Sequence, residues 1–185
     1  MNRSSPKGFR LHIGIFGRRN VGKSSLLNAM TRQNVSIVSE VAGTTTDPVE
    51  KPMELLPVGP VLFIDTAGID DAGVLGEKRV QRTRQVFDRT DLGLLVAEAD
   101  YWGEFEETIL QELTGRHIPI IVIFNKVDLA RPQAEILGNL SRVKVRYVET
   151  VASRGEGVHD LREAMIRAVP EEFINAPSIL GDLIP

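Results

Sequence analysis

The sequence predicts a three-layer α/β fold: a mostly parallel sheet, helices on both of its faces, and one antiparallel strand at an edge. Three observations predict it. Short, buried-type apolar runs alternate with helical patterns along the whole chain. One pair of runs is separated only by Pro57-Val58-Gly59-Pro60, too short for a crossover and suited to a tight hairpin turn. The first run ends in a glycine-bounded loop that leads directly into a helical pattern. With 185 residues, 42% of them apolar and 25% charged, the chain is long enough for one well-packed domain.

Taken in order, residues 11–16 read as the first strand and 23–31 as a helix with Leu26, Leu27 and Met30 on one face. Residues 34–48 lack periodicity and carry a threonine cluster, which predicts a loop. Residues 50–56 and 61–65 form the hairpin strands, and 77–88 a charged helix. Two short apolar strands, 92–98 and 118–125, flank a helix over 104–115. A weaker helix follows Pro132, then a strand at 143–148 and a last helix over 158–169. There is no internal repeat. Residues 1–9 read as a short flexible N-terminus and 10–170 as the domain. Residues 171–185, apolar but aperiodic, read as a linker toward domains that the chain does not contain.

Composition narrows the function. Zero cysteines exclude disulfides, thiolate metal sites and cysteine-held iron–sulfur clusters from this chain. His12, His117 and His159 are far apart and show no ligand spacing, so each reads as structural or solvated. The net charge of -3 disfavours a broad nucleic-acid surface, and nucleic acid is not an expected partner. Neither a secretory signal nor a membrane-length apolar run is present in the sequence, so the expectation is a soluble, cytoplasmic protein without a membrane partner.

The chemistry begins at Gly17-Arg18-Arg19-Asn20-Val21-Gly22-Lys23-Ser24, which matches the phosphate-loop pattern G-x-x-x-x-G-K-[ST] between a strand and a helix. Glycines let the backbone curl so that successive N–H groups face phosphate oxygens, and the helix N-terminus adds positive potential. Gly17, Asn20, Val21, Gly22, Lys23, Ser24 and Ser25 are therefore the phosphate-side residues, with Lys23 a point charge for the β- and γ-phosphates. Ser24 offers a hydroxyl oxygen to Mg²⁺, a hard cation. The plain alternative is a glycine turn before an ordinary helix.

Asn125-Lys126-Val127-Asp128 ends a strand, where ligands of open α/β sheets collect. Guanine presents N1–H and its 2-amino group side by side, and the Asp128 carboxylate can accept both. Adenine lacks both donors, and a site built on such buried bonds rejects it by about 10⁴-fold or more. Asp65-Thr66-Ala67-Gly68 ends another strand: Asp65 can hold Mg²⁺ through water, and Gly68 can bring its N–H to the γ-phosphate. Gly43-Thr44-Thr45-Thr46-Asp47 follows the first helix. A threonine there can ligate Mg²⁺, and Thr45 is the choice among three; a turn or capping role is the alternative.

In their order, these motifs resemble the translation-factor-like GTPases over about residues 11–169. The resemblance implies a P-loop NTPase fold with six strands, GTP and GDP as ligands, and switch loops that order around GTP. It would put a guanine-O6 contact at Val151-Ala152-Ser153, where Ala152 can supply its N–H although the usual serine and lysine are absent. Ile69 stands where Ras-like proteins carry a water-orienting glutamine, so intrinsic turnover should be slow.

Asn20 and the Gly-Thr-Thr run resemble the tRNA-modification group of the TrmE-Era-like GTPases. That likeness implies K⁺ held with the help of Asn20, G domains pairing across their switches as a homodimer, and Glu77 helping to place water. Glu77 can equally be a carboxylate favoured by a helix dipole. Gly14-Ile15-Phe16-Gly17-Arg18-Arg19-Asn20, Gly43 to Val49 with threonine at 46, Met53 to Pro60 and Gly181-Asp182-Leu183-Ile184-Pro185 resemble the iron-iron hydrogenase maturation GTPase family, HydF. That resemblance implies the regulatory GTPase domain of a cluster-assembly scaffold, with hydrogenase and its other maturation proteins as partners. Two rivals stay open: an RNA-linked GTPase using a basic face of Lys78, Arg79, Arg82, Arg84 and Arg89, and a switch that binds GTP but barely hydrolyses it. A P-loop kinase is disfavoured by the guanine-reading motif.

Overall fold

The computed structural model describes residues 10–32, 49–66 and 76–174, with side chains from residue 83 onward in the last segment. The strands are β1 (Leu11–Phe16), β2 (Val49–Leu55), β3 (Gly59–Asp65), β4 (Leu92–Glu98), β5 (Ile120–Asn125) and β6 (Arg146–Thr150). They form one sheet in the order β2-β3-β1-β4-β5-β6, and only β2 runs antiparallel to its neighbour. The helices are α1 (Lys23–Arg32), α2 (Gly76–Arg89), α3 (Glu104–Gly115), α4 (Ala134–Arg142), α5 (Val158–Ala168) and the short α6 (Glu171–Ile174).

Strand alternation divides the core into two layers. Leu92, Leu94 and Val96 of β4 and Ile121 and Ile123 of β5 face α1 and α5, where they meet Leu26, Leu27, Met30, Leu161 and Met165. Leu95, Ala97, Val122 and Phe124 face the other way, against Val86 and Phe87 of α2, Leu113 of α3 and Leu140 of α4. Each such buried Val, Leu, Ile, Met or Phe side chain contributes about 1.5–3 kcal/mol over its exposed state. Both faces being covered is why the central strands are continuous apolar runs rather than alternating ones.

Several boundaries differ from the sequence expectation, and for two strand starts the cause is visible. The strand expected from 143 starts at Arg146. Val143 instead closes α4, donating its N–H to Asn139 O at 3.2 Å, and Lys144 turns the chain with φ 58°. Likewise β5 starts at Ile120, after Ile118 has bonded back to Leu113 O at 3.0 Å. Past residue 170, α6 continues the chain and Phe173 packs against the α5-side core. Residues 1–9, 33–48, 67–75 and 175–185 lie outside the described residues. Among the described residues, no helix is long and apolar enough to cross a membrane.

Candidate nucleotide site

The site lies at the C-terminal end of the sheet, where parallel strands deliver their loops to one edge. In register, Glu98 of β4 neighbours Asn125 of β5, and Asn125 neighbours Thr150 of β6. Three strand ends therefore put a carboxylate, an amide and a hydroxyl in one row. On the other side of β4, Ile15 of β1 is paired with Asp65 of β3, and Thr66 donates both its N–H (3.2 Å) and its hydroxyl (2.7 Å) to the Ile15 carbonyl.

The phosphate loop leaves β1 at Gly17. A Cβ there would lie 2.6 Å from Val96 O, so only glycine lets the loop start this close to β4. Asn20 has φ 64° and Gly22 φ 104°, two left-handed residues that curl the loop. A Cβ on Gly22 would fall 2.2 Å from Asn125 Nδ2. Lys23 is buried and donates from Nζ to the Gly17 carbonyl across the loop's mouth. Ser24 and Ser25, in the first turn of α1, are exposed, so their hydroxyls face outward at a helix N-terminus.

Asn125 joins the loops. Its Nδ2 donates to Val21 O at 2.9 Å, and its Oδ1 accepts Thr150 Oγ1–H at 3.0 Å and the Ala152 N–H at 2.9 Å. One buried amide thus holds the phosphate loop, the end of β6 and the turn after it. Lys126, with φ 63°, reaches from the loop after β5 to Asn20 O and to Glu98 Oε1, both at 2.7 Å. Asp128 keeps about a quarter of its side chain exposed (26%), with Arg154 3.6 Å away, beyond direct hydrogen-bonding distance. The Asp128 carboxylate therefore keeps lone pairs for a donor edge.

The residues read from the sequence divide cleanly. Gly17, Asn20, Val21, Lys23, Asn125, Lys126 and Ala152 are linked through the bonds just given, and Gly22 lies close against Asn125. Ser24, Ser25, Asp65 and Asp128 stand at the same end of the sheet. Thr45 and Gly68, with the side chain of Glu77, lie outside the described residues. Ala152 N–H, read as a donor to guanine, is directed at Asn125 Oδ1. Sequence reasoning missed Glu98, Thr150 and Arg154. Glu98 ends an expected strand and Thr150 lies past the expected end of another, and only the register puts them beside Asn125. Arg154 sits in the very turn whose usual serine and lysine are missing.

No group of three or more acidic, histidine or cysteine side chains that could hold a metal occurs among the described residues. What the site offers is oxygen chemistry, a hydroxyl at Ser24 and a buried carboxylate at Asp65. That set fits a hard divalent cation which keeps phosphate and water oxygens as its other ligands.

A family profile described as 50S ribosome-binding GTPase matches residues 12–126, more than half of the chain. The chain belongs to this family. As a 50S ribosome-binding GTPase family member it is a GTP-binding, GTP-hydrolysing domain with the TrmE/Era-like architecture. The tRNA modification GTPase MnmE of a Nostoc species is 36% identical over 168 residues, covering 90% of this chain and 36% of that protein. The chain thus spans little more than a third of that relative's length. An Era variant from Aquifex aeolicus bound to GDP·AlF4⁻ superposes with a TM-score of 0.65 at 28% identity, covering 86% of this chain and 56% of that one. Era in complex with MgGDPNP and a 16S ribosomal RNA segment matches equally, TM-score 0.65 at 29% identity, with the same coverage of 86% and 56%.

Proposed function

We propose that this domain is a slow, K⁺-stimulated GTPase that alters partner contacts with its nucleotide state. The observation that carries this is the Asn125 junction: one side chain ties the phosphate-binding loop to the guanine-reading segment, so both ends of a GTP molecule meet a single rigid element. In this reading the phosphates take Lys23 from the Gly17 carbonyl, and the N–H groups of residues 20–24 point at their oxygens. Asp128 accepts N1–H and the 2-amino group. Ala152 shares its N–H between Asn125 and guanine O6.

Ser24 and Asp65, with Thr45, would hold Mg²⁺, which when bound neutralises developing charge on the phosphates. Asn20 would hold K⁺ beside them. Its exposed position and left-handed backbone, braced by Lys126 on its carbonyl, leave the side chain at the rim of the loop. Gly68 would bind the γ-phosphate and Glu77 would place the attacking water. The test is GTP hydrolysis in K⁺ and in Na⁺ at equal ionic strength, with Asn20→Ala beside the wild type. K⁺ stimulation that disappears in the variant supports the reading; equal rates in the two salts remove Asn20 from catalysis and leave a switch whose helper comes from a partner.

We infer that the domain is the regulatory part of a hydrogenase-assembly scaffold, with hydrogenase and its other maturation proteins as partners, a reading supported by Thr46 in the Gly43–Val49 segment and by the Met53 to Pro60 run. A second reading, an RNA-linked GTPase, is favoured by relatives whose names carry tRNA modification and by Era bound to ribosomal RNA. These relatives count against the expectation that nucleic acid is not a partner. Binding of tRNA or ribosomal RNA fragments that weakens steeply with salt supports the second reading, and no binding at low salt removes it. Dimerisation across the switches is tested by sedimentation with GDP, AlF4⁻ and K⁺ together.

A further inference from the structure

The phosphate loop is tied to the body of the domain by an ion pair that nucleotide chemistry does not use. Arg18, second residue of the loop, donates from Nε to Glu106 Oε1 at 2.7 Å, and its guanidinium carbon lies 3.8 Å from the Tyr101 ring centroid. Glu106 is completely buried in the first turn of α3. Its second oxygen accepts the Gly103 N–H at 2.9 Å, so one carboxylate both caps α3 and anchors the loop. Arg18 Nη2 is buried without a hydrogen-bond partner.

Stability alone does not account for this arrangement. Glu106 is fully buried while a third of the Arg18 side chain stays exposed, so screening weakens the attraction. Glu106 still bears its desolvation cost, and the orphaned Arg18 Nη2 lowers stability further. What the pair supplies is position. The planar guanidinium is gripped at Nε by a buried carboxylate and across its face by an aromatic ring, which fixes it in direction as well as place. The backbone it fixes is the one that matters: Gly17 O, one residue earlier, receives Lys23, and Arg18 O accepts the Val21 N–H at 3.5 Å.

We propose that Arg18 and Glu106 are positioning residues for phosphate binding, holding the first half of the loop in its curl at the expense of stability. This rests on the reading that loop 17–24 takes the phosphates. The pair acts through the loop and touches no part of the base reader, so it governs affinity for the diphosphate and leaves base choice alone.

The test compares GDP affinity, the ratio of GDP to IDP affinity and the ligand-free melting midpoint in Arg18→Met/Glu106→Gln. Glutamine keeps a carbonyl oxygen for the Gly103 N–H. The expected result is a GDP affinity about tenfold weaker, with an unchanged GDP:IDP ratio and a melting midpoint no lower than that of the wild type. Arg18→Lys, which keeps the charge and loses the planar fork, should weaken GDP about threefold and decides the matter if the double variant does not fold. GDP affinity equal to wild type in the folded variants overturns the proposal. A loss that tracks a lowered melting midpoint and a changed GDP:IDP ratio overturns it equally, since that is a merely structural role. Lys23→Ala is the control for the loop reading itself: if it binds GDP like the wild type, that reading has failed rather than the positioning role.

Discussion

Asn125 makes three hydrogen bonds from a buried position, to Val21 O, Thr150 Oγ1 and Ala152 N. Truncating it leaves buried groups on two loops unpaired, each at about 1–3 kcal/mol. Asn125→Ala is therefore expected to lower unfolding free energy by roughly 3 kcal/mol in a urea titration, and to abolish GDP binding even where the protein remains folded. Retained GDP affinity in that variant would separate the junction from the site. Gly22→Ala attacks the same contact from the other side, since its Cβ would press on Asn125 Nδ2 and the residue would be held at φ 104°. It is expected to cost at least about 1–2 kcal/mol by the same titration and to weaken GDP more than it weakens the fold. Gly17, Gly22, Lys23, Asn125 and Asp128 could be singled out in the sequence because each proposed role admits few residue types, and the fold gathers them at one end of the sheet. Glu98, Thr150 and Arg154 were not, because their role comes from register and loop geometry, and any of several polar residues could stand at a strand end.

Elements were legible where periodicity was unambiguous, as in β1, β4 and α3. They were misread where a β-like composition overlaps a helix terminus. Val143-Lys144-Val145 alternates like a strand, but the terminal carbonyls of α4 need donors, and the N–H groups of Val143, Lys144 and Val145 supply them before the chain can extend. Between helices the tie to test is Arg116, which pairs with Asp88 of α2 at 2.5 Å and Glu112 of α3 at 3.4 Å and lies over the Phe87 ring. The Asp88 hydrogen bond, ahead of the opposing effect of burial, holds the Arg116 guanidinium above its ordinary range. A raised cationic group contributes fully below its unfolded pKa and loses that contribution only as pH climbs through the folded one. The tie is therefore constant across neutral and mildly basic pH, and salt is the lever. Because the pair is partly exposed, Arg116→Ala should cost only about 0.5–1 kcal/mol, less in high salt, with GDP affinity unchanged. A thermal melt at two ionic strengths measures it, and a large, salt-independent loss would mean that ring packing rather than charge holds α2 to α3.

At the scale of the whole molecule, the sequence predicted layers and strand direction but not the strand order. Crossover handedness and the placing of β1 between β3 and β4 arise from the geometry of connections, which composition does not encode. That order is what brings Val21, Asn125 and Ala152 together from distant parts of the chain, so nucleotide should bridge segments that meet only in the folded state. A ligand that binds only the folded form stabilises it by about 2.7 kcal/mol at a concentration of 100 Kd. For a domain of this size that raises the melting midpoint by roughly 5–10 °C. GDP with Mg²⁺ should give this shift, ADP at equal concentration should give none, and Lys23→Ala and Asp128→Ala should each lose most of it by different routes. The phosphate variant should also lose the response to inorganic pyrophosphate, whereas the base-reading variant should keep whatever pyrophosphate response the wild type has and lose its preference for guanine over adenine. A shift that survives in either variant would mean that the two halves of the site bind independently. An ADP shift equal to that of GDP would overturn Asp128 as the base reader while leaving the phosphate loop in place.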